Sequence, residues 1–210
     1  NSVLDGKGYK IIGNIVDASY IGVYAIHNNL NITIKNLNIY NFSHGIYFSN
    51  SKNSTIENNN FYVLKNIEPG SFEHGIYSKG DYNIIRNNSV VGRDIGIYLM
   101  GYYNVIKNNS VVGMSTGIET KDAYNNTISE NFIKSNYRGI SVTSSPYNNF
   151  SVNKLCGNGF DFSCFNSGLN YADRNTFSTI DPAWPCNWVG TSVGSCPLCG
   201  NSVVEIGEQC

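Results

Sequence analysis

The sequence predicts an all-β solenoid, and three observations support this fold class. The segment Asn104-Val-Ile-Lys-Asn-Asn-Ser-Val-Val-Gly113 repeats Asn83-Ile-Ile-Arg-Asn-Asn-Ser-Val-Val-Gly92 almost letter for letter. A Gly-aliphatic pair begins at residues 22, 45, 75, 96, 117 and 139, with spacings of 23, 30, 21, 21 and 22 residues. Asn, which favours turns, occupies 33 positions, whereas Ala, the best helix former, occupies five. A repeat of this length is typical of solenoids.

Each repeat is predicted to form one rung of three strands, three to five residues long, joined by tight turns. The apolar positions of the second strand are Ile34, Ile56, Ile85, Ile106, Ile128 and Phe150, and those of the third are Ile39, Phe61, Val90, Val111, Ile133 and Leu155. Because the pattern is translated rather than mirrored, the strands should stack in parallel and in register, ~4.8 Å apart. We therefore predict a right-handed, single-stranded parallel β-helix of about seven to eight rungs, with a disulfide-rich irregular C-terminal cap.

One polar position recurs two residues before the third-strand apolar residue. It is occupied by Asn59, Asn88, Asn109, Asn131 and Asn153. An amide both donates and accepts hydrogen bonds, so stacked Asn side chains can satisfy buried turn groups along the axis. We interpret these residues as a structural ladder, with ligand binding as the less favoured alternative. The repeated Gly is expected to adopt a special backbone conformation or to relieve crowding.

Two domains are predicted: a β-helix over residues 1–180 and a cysteine-rich cap or tail over 181–210. Residues 1–20 look like an earlier, less regular rung, and an insertion over 62–74 lengthens one rung into a loop over one face. Trp184 and Trp188 are expected to cover the open end of the solenoid. The abrupt ends of the chain favour a mature piece of a longer protein with further domains.

All six cysteines follow residue 155, namely Cys156, Cys164, Cys186, Cys196, Cys199 and Cys210. An even number confined to one region predicts disulfides and an oxidising compartment. A zinc site built from the last four cysteines is an alternative, although no second knuckle faces Cys196-x-x-Cys199. Seven Asn-x-Ser/Thr sequons, beginning at Asn31, Asn41, Asn53, Asn87, Asn108, Asn125 and Asn149, are compatible with a secreted glycoprotein.

The remaining composition limits the partners. A formal net charge of −1 gives no reason to expect binding to nucleic acid or to an anionic membrane. No apolar segment approaches the ~20 residues that a membrane span requires. No motif indicates a cofactor or a resident metal ion. A polysaccharide or glycan is the partner that we expect.

A strip of tyrosines motivates that expectation. Tyr47, Tyr77 and Tyr98 follow the Gly-Ile pair, Tyr24 occupies the same place one rung earlier, and Glu119 one rung later. Alternation along a strand turns the Ile inward and these side chains outward. Exposed aromatic rings can pack against the apolar C–H faces of sugars. The alternative is a structural ladder on a solvated strand face.

A second group of polar residues lies beside the strip. His44 and His74 occupy one position in successive rungs, and Glu73 and Asp94 are near the same edge. These four are candidates for catalysis, because paired carboxylates can cleave a glycosidic bond, or for metal binding through the histidines. Solvated variation within the repeat is the favoured interpretation, and contact with a substrate is a further alternative. The sequence has no adjacent acidic pair and no acidic cluster beside its four arginines, so catalysis has little support.

Leu4-Asp5-Gly6-x-Gly8-Tyr9, the Gly-Ile-Tyr rungs and the Asn-Asn-Ser-Val rungs resemble the NosD-like right-handed β-helix proteins, which include carbohydrate-binding-and-sugar-hydrolase type domains. The resemblance covers residues 3–180 and implies the fold more strongly than a function. Separately, the segment from Cys199 to Cys210 resembles the start of a myxobacterial-type cysteine-rich extracellular repeat.

These observations favour a non-catalytic β-helix module of a secreted or surface protein, either glycan-binding or structural. The location is expected to be extracellular or at the cell surface, with the periplasm as an alternative. A polysaccharide lyase or glycoside hydrolase with a cleft near His44 and His74 is the second hypothesis. Periplasmic copper handling, implied by the NosD resemblance, is the third.

Overall fold

The computed structural model describes residues 2–13, 21–26, 30–62 and 73–189, and all regular secondary structure in these ranges is β-strand. The strands belong to three parallel sheets that form the sides of a solenoid of about seven turns. The predicted fold class is therefore confirmed. Most of the predicted insertion loop and the segment with Cys196, Cys199 and Cys210 lie outside the described residues.

Sheet 1 contains the second strand of each turn and has nine members. They are β1 (Ser2–Asp5), β4 (Ile32–Lys35), β7 (Thr55–Glu57), β10 (Ile84–Arg86), β13 (Val105–Lys107), β16 (Thr127–Ser129), β19 (Asn149–Ser151), β22 (Leu169–Asp173) and β23 (Asn187–Val189). Sheet 2 contains the third strands, which are β2 (Lys10–Ile12), β5 (Asn38–Tyr40), β8 (Asn60–Tyr62), β11 (Ser89–Val91), β14 (Ser110–Val112), β17 (Phe132–Lys134) and β20 (Lys154–Cys156).

Sheet 3 contains the first strands, which are longer. They are β3 (Ile21–Ile26), β6 (His44–Lys52), β9 (His74–Asp81), β12 (Ile95–Tyr102), β15 (Thr116–Tyr124), β18 (Arg138–Thr143) and β21 (Phe160–Phe165). Three to five residues per strand, the predicted length, is right for sheets 1 and 2 and wrong for sheet 3. The extra length makes sheet 3 the broadest surface of the molecule.

The predicted register is present throughout. Ile85 pairs with Ile106, and Val90 pairs with Val111 one strand further round the turn. These side chains are fully buried, with relative exposure of 0%. Because identical apolar residues lie above one another, the core is a set of continuous columns along the axis.

Asn has two separate roles at the corner between sheets 1 and 2. The Asn that directly follows the second strand, at residues 36, 58, 87 and 108, has a left-handed backbone with φ between 53° and 56°. Asn tolerates this conformation better than most residues do. The next position holds Leu37 in the first rung and then the five predicted ladder residues, extended by Asn175. Each ladder Oδ1 accepts a hydrogen bond of 2.9–3.0 Å from the backbone N–H of the residue at this position one rung earlier.

A second ladder runs along the corner between sheets 3 and 1 and was missed in the sequence. It comprises Asn83, Asn104, Asn126, Asn148 and Asn170, two residues before the second-strand apolar position. The signal was present, because these residues share the repeat period. Both ladders are buried, so the turns need no water to satisfy their amides.

The repeated glycine relieves crowding and does not need a special backbone conformation. Gly96, for example, has an ordinary φ, but a Cβ there would overlap the Val111 side chain and the carbonyl of Gly117 in the next rung. The same contact with the following glycine recurs from Gly22 through Gly117. The glycine therefore lets sheet 2 and sheet 3 meet at a tight corner.

The C-terminal end of the solenoid is covered by Trp188, which makes edge contacts with Phe150 and Phe162 at 5.4 and 5.1 Å. A disulfide joins Cys164 in β21 to Cys186, and Cys156 is also disulfide-bonded. Trp184 does not act as a plug, because it is 39% exposed and lies beside Phe165 on the outside. β23 continues sheet 1 beyond residue 180, and the predicted boundary there stays a prediction.

Candidate functional site

The outer face of sheet 3 carries a continuous column of tyrosines. Tyr24, Tyr47, Tyr77 and Tyr98 pair in register across four neighbouring strands. Their alternation with the inward-facing Ile residues turns them outward. The predicted strip therefore exists as a geometric feature, and its role in binding stays a prediction.

The tyrosines stack on one another instead of presenting their faces to solvent. The Tyr47 and Tyr77 rings are 4.3 Å apart and inclined by 2°, and Tyr77 and Tyr98 are 5.2 Å apart and inclined by 7°. Tyr24 is tilted by 46° against Tyr47. Tyr77 is stacked on both faces, whereas Tyr47 is stacked on its Tyr77 side and in tilted contact with Tyr24 on the other. Among the described residues, the Tyr98 end of the column therefore has a ring face that no other aromatic ring stacks on.

The column ends at a change of residue type. Tyr98 pairs with Glu119 in the next rung, and Glu119 pairs with Ser141. The smaller side chains leave space beside the Tyr98 ring, on the side away from Tyr77. An open groove of about 230 Å³ lies here, lined by His74, Tyr77, Ile95, Tyr98, Glu119 and Lys121. We call it the Tyr98 groove.

Partial burial raises the pKa values of three groove side chains, Tyr77, Tyr98 and Glu119. Burial, with the Tyr47 ring as a smaller cause, raises the pKa of Tyr77 to about 12. Burial also raises the pKa of Tyr98, helped by the Glu119 carboxylate, and burial raises the pKa of Glu119 against the opposing charges of Lys121 and Arg138. The tyrosine hydroxyls are therefore hydrogen-bond donors at neutral pH.

His44 and His74 form a close pair beside the column. Their Nδ1 atoms are 3.2 Å apart, and the His74 ring meets Tyr77 and Tyr98 edge-on at 5.4 and 5.1 Å. Burial, with the neighbouring His44 as a second cause, lowers the pKa of His74 to about 3, and burial lowers the pKa of His44. Both rings are neutral at pH 7, so one Nδ1–H donates to the other Nδ1.

Glu73 and Asp94 lie at the corner that precedes sheet 3. The Glu73 backbone N–H donates to Asp94 Oδ2 at 3.2 Å, and the Glu73 side chain is buried. Burial, with the Asp94 charge as a second cause, raises the pKa of Glu73 to about 7. Within the part of the chain that the structure describes, Glu73 Oε2 has no hydrogen-bond partner.

The four catalytic candidates are neighbours, but they do not converge on one groove. His74 lines the Tyr98 groove, whereas His44, Glu73 and Asp94 do not. Glycosidic cleavage by two carboxylates requires both of them to flank the scissile bond. Among described residues the groove has a single carboxylate, Glu119, so this groove does not contain that arrangement.

Sequence reasoning missed a second depression further along the same strands. It has a volume of about 360 Å³, and its lining includes Asn50, Lys79, Asp81, Tyr102 and Asp122. The register shifts beside it, where β6 has one extra residue relative to β9 and β15 one extra relative to β12. A signal was available, because Gly80 and Gly101 occupy equivalent positions and both have positive φ.

Neither depression contains an evident metal centre. Over residues 2–13, 21–26, 30–62 and 73–189 no group of three or more His, Cys, Asp and Glu side chains is arranged to hold a metal ion. In the same ranges no helix is long and apolar enough to cross a membrane.

The fold and its outward-facing grooves define a parallel β-helix repeat module with one broad sheet available to a ligand. Residues 2–163 match the family described as "Periplasmic copper-binding protein (NosD)", and the chain belongs to the NosD family. This is a periplasmic family, in agreement with the predicted extracellular or periplasmic location. A search of curated proteins gave no match to the chain.

Proposed function

We propose that the protein is a non-catalytic module that binds a glycan at the Tyr98 groove. The observation that supports this proposal is the end of the tyrosine column, where one aromatic face lies beside a carboxylate and an ammonium group. A pyranose ring has an apolar C–H face and a rim of hydroxyls. The first would pack on Tyr98, and the second would hydrogen-bond with Glu119 and Lys121.

The rest of the column has a supporting role in this proposal. Tyr47 and Tyr77 fix the orientation of the Tyr98 ring by stacking beneath it, and Tyr24 lies farthest from the groove. A ring that is already held in place loses little entropy when a sugar binds, which favours affinity. The binding residues are therefore Tyr98, Glu119 and Lys121, and Tyr24 and Tyr47 act only through the stack.

Calorimetric titration with a panel of oligosaccharides tests this function. Tyr98→Ala should remove binding of the oligosaccharide that the wild type prefers. Tyr103→Ala is the matched control, because Tyr103 is also a tyrosine stacked on a neighbour, Tyr82, at 5.2 Å, but lies outside the groove. Unchanged affinity of the Tyr98 variant, or no binding of any sugar by the wild type, would reject the proposal.

Copper binding is the second candidate function, and the histidine pair favours it. Neutral imidazole nitrogens 3.2 Å apart need only a small movement to coordinate one ion together, and imidazole is a suitable copper ligand. The family is described as copper-binding. We expect a Cu(I) competition titration to show one site that His44→Asn removes while glycan binding is kept, because His44 does not line the Tyr98 groove. Equal copper affinity of the wild type and of this variant would reject the pair as the site.

A further inference from the structure

The second depression of sheet 3, which we call the bulge depression, is formed by backbone irregularities at one level of the solenoid. Asn50 in β6 and Asp122 in β15 are the extra residues, and both have left-handed φ values of 57° and 48°. Between them, β9 and β12 continue through Gly80 and Gly101 without a Cβ. Bulged strands therefore border two strands with a bare backbone, which leaves a concave surface.

The rim of the bulge depression is already held in place by internal contacts. Asp81 forms an ion pair with Lys52 at 3.0 Å and accepts a hydrogen bond from the Tyr102 backbone N–H at 3.1 Å. Tyr124 stacks on one side of the Tyr102 ring at 5.3 Å. The opposite face of Tyr102 is turned towards the rung of Asp81, and it borders the depression.

The bulge depression lies next to the Tyr98 groove along β12 and β15. Lys121 lines the groove and the next residue, Asp122, lines the depression. Met100 lies between the two, and the Tyr77 hydroxyl donates to its sulfur at 3.8 Å. Tyr98 and Tyr102 are four residues apart on one strand, so the two ring faces are separated by roughly 13 Å. A single monosaccharide does not span this distance.

The charges along this path are balanced. The bulge depression has two lysines and two aspartates, of which Lys52 and Asp81 are paired, and the Tyr98 groove has Glu119 and Lys121. Such a lining offers both donors and acceptors to hydroxyl groups. It has no excess of positive charge that would favour a chain of uronate or sulfate groups.

From this geometry, and on the basis of the function proposed above, we infer that the ligand is a neutral oligosaccharide that lies along the strands, across the solenoid axis. One sugar occupies the Tyr98 groove, and the chain continues over Met100 to a second subsite between Asn50, Tyr102 and Asp122. The bulge depression thus determines which chain length and which charge the module prefers.

Titrations with oligosaccharides of increasing length test the second subsite. The probes are glucose and N-acetylglucosamine, their β-linked tetrasaccharides, and tetragalacturonate as the acidic counterpart. We expect a neutral tetrasaccharide to bind at least about tenfold more tightly than its monosaccharide. Tyr102→Ala and Asn50→Gly should remove this gain and change monosaccharide affinity less than about twofold.

Two variants serve as controls for these substitutions. Tyr103→Ala removes a stacked tyrosine elsewhere, and Asn87→Gly changes an exposed left-handed Asn outside both grooves. A monosaccharide bound as tightly as the tetrasaccharide, or preference for tetragalacturonate, would overturn this inference and leave the Tyr98 site intact. No binding of any sugar would instead reject the underlying function, so the two failures are distinguishable.

Discussion

The columns inside the solenoid and those on the outer face of sheet 3 obey the same register but differ in their regularity. Inside, the second-strand column is Ile at five successive rungs before Phe150, and the residues of both Asn ladders are buried. Outside, the tyrosine column stops at Glu119, and two strands of sheet 3, β6 and β15, contain an extra residue further along. Both surfaces come from one repeat, yet only the inner one is kept nearly constant.

This difference distinguishes the residues that stabilise the fold from those that are free to vary and to form a binding site. A buried column tolerates little change, because a substituted residue must still match the rungs above and below it. An outer column has solvent on one side, so its residues can change without loss of the fold. Interruptions on the outer face are therefore where a ligand site is expected, and both grooves lie at such interruptions.

The largest effect should follow removal of one ladder residue from the interior. Asn109→Ala removes the acceptor of the Asn88 backbone N–H and the donor to the Ile85 carbonyl. Each buried group left unsatisfied costs about 1–3 kcal/mol, so we expect a loss of at least ~2 kcal/mol in the free energy of unfolding. Unfolding in urea measures this loss of stability. Asn108→Gly, at the exposed left-handed neighbour, is the control, and equal losses in both variants would contradict the distinction between interior and exterior.

The interior could be predicted from the sequence because it repeats. Ile85, Ile106 and Asn109 occur at a constant period, and a period translates directly into stacking in register. Identical residues one rung apart can only lie above one another. The second Asn ladder is equally periodic, and Ser54 occupies its first position and donates its backbone N–H to Asn83 Oδ1.

The exterior site could be predicted only in part, for a physical reason. Alternation placed Tyr98 outward, but it did not show that neighbouring rings cover one another's faces. The bulges at Asn50 and Asp122 each change the spacing between rungs by one residue, from 30 to 29 between β6 and β9 and from 21 to 22 between β12 and β15. This spacing reveals the extra residue but not its position within the rung. The orientation of the rings and the position of a bulge within a strand depend on tertiary packing, so the shape of the bulge depression is defined by the structure.

An intermediate effect is expected at Glu73, at the boundary between interior and exterior. Its folded pKa of about 7 lies above the ordinary 4.5, so the folded state binds the proton more tightly. The protonated Glu73 side chain therefore stabilises the folded state. This contribution to the free energy of unfolding is fully present below pH 4.5 and is lost as the pH rises to about 7. His74 acts oppositely, because its folded pKa of about 3 lies below 6.5, and its contribution is lost on acidification.

Unfolding in urea between pH 4.5 and 7.5 separates these two contributions. Glu73→Gln should gain stability relative to the wild type as the pH rises through this range, because the variant has no buried charge to form. His74→Asn should lose less stability than the wild type between pH 6.5 and 4.5. Parallel pH profiles for the wild type and Glu73→Gln would show that the carboxyl group titrates normally.

The smallest effect should be found between two exposed stacked rings. Tyr82 and Tyr103 stack at 5.2 Å with an inclination of 15°, and both are more than half exposed. Aromatic pairs contribute about 0.5–1.5 kcal/mol beyond burial, and solvent exposure favours the lower end. A double-mutant cycle with Tyr82→Ala and Tyr103→Ala should give a coupling energy of about 0.5 kcal/mol.

The same cycle on Asn88 and Asn109 should give a larger coupling energy, because those groups are buried. If the exposed pair couples as strongly as the ladder pair, stacking along the axis stabilises the solenoid on both faces, and the interruption at Glu119 then needs a structural explanation instead of a functional one.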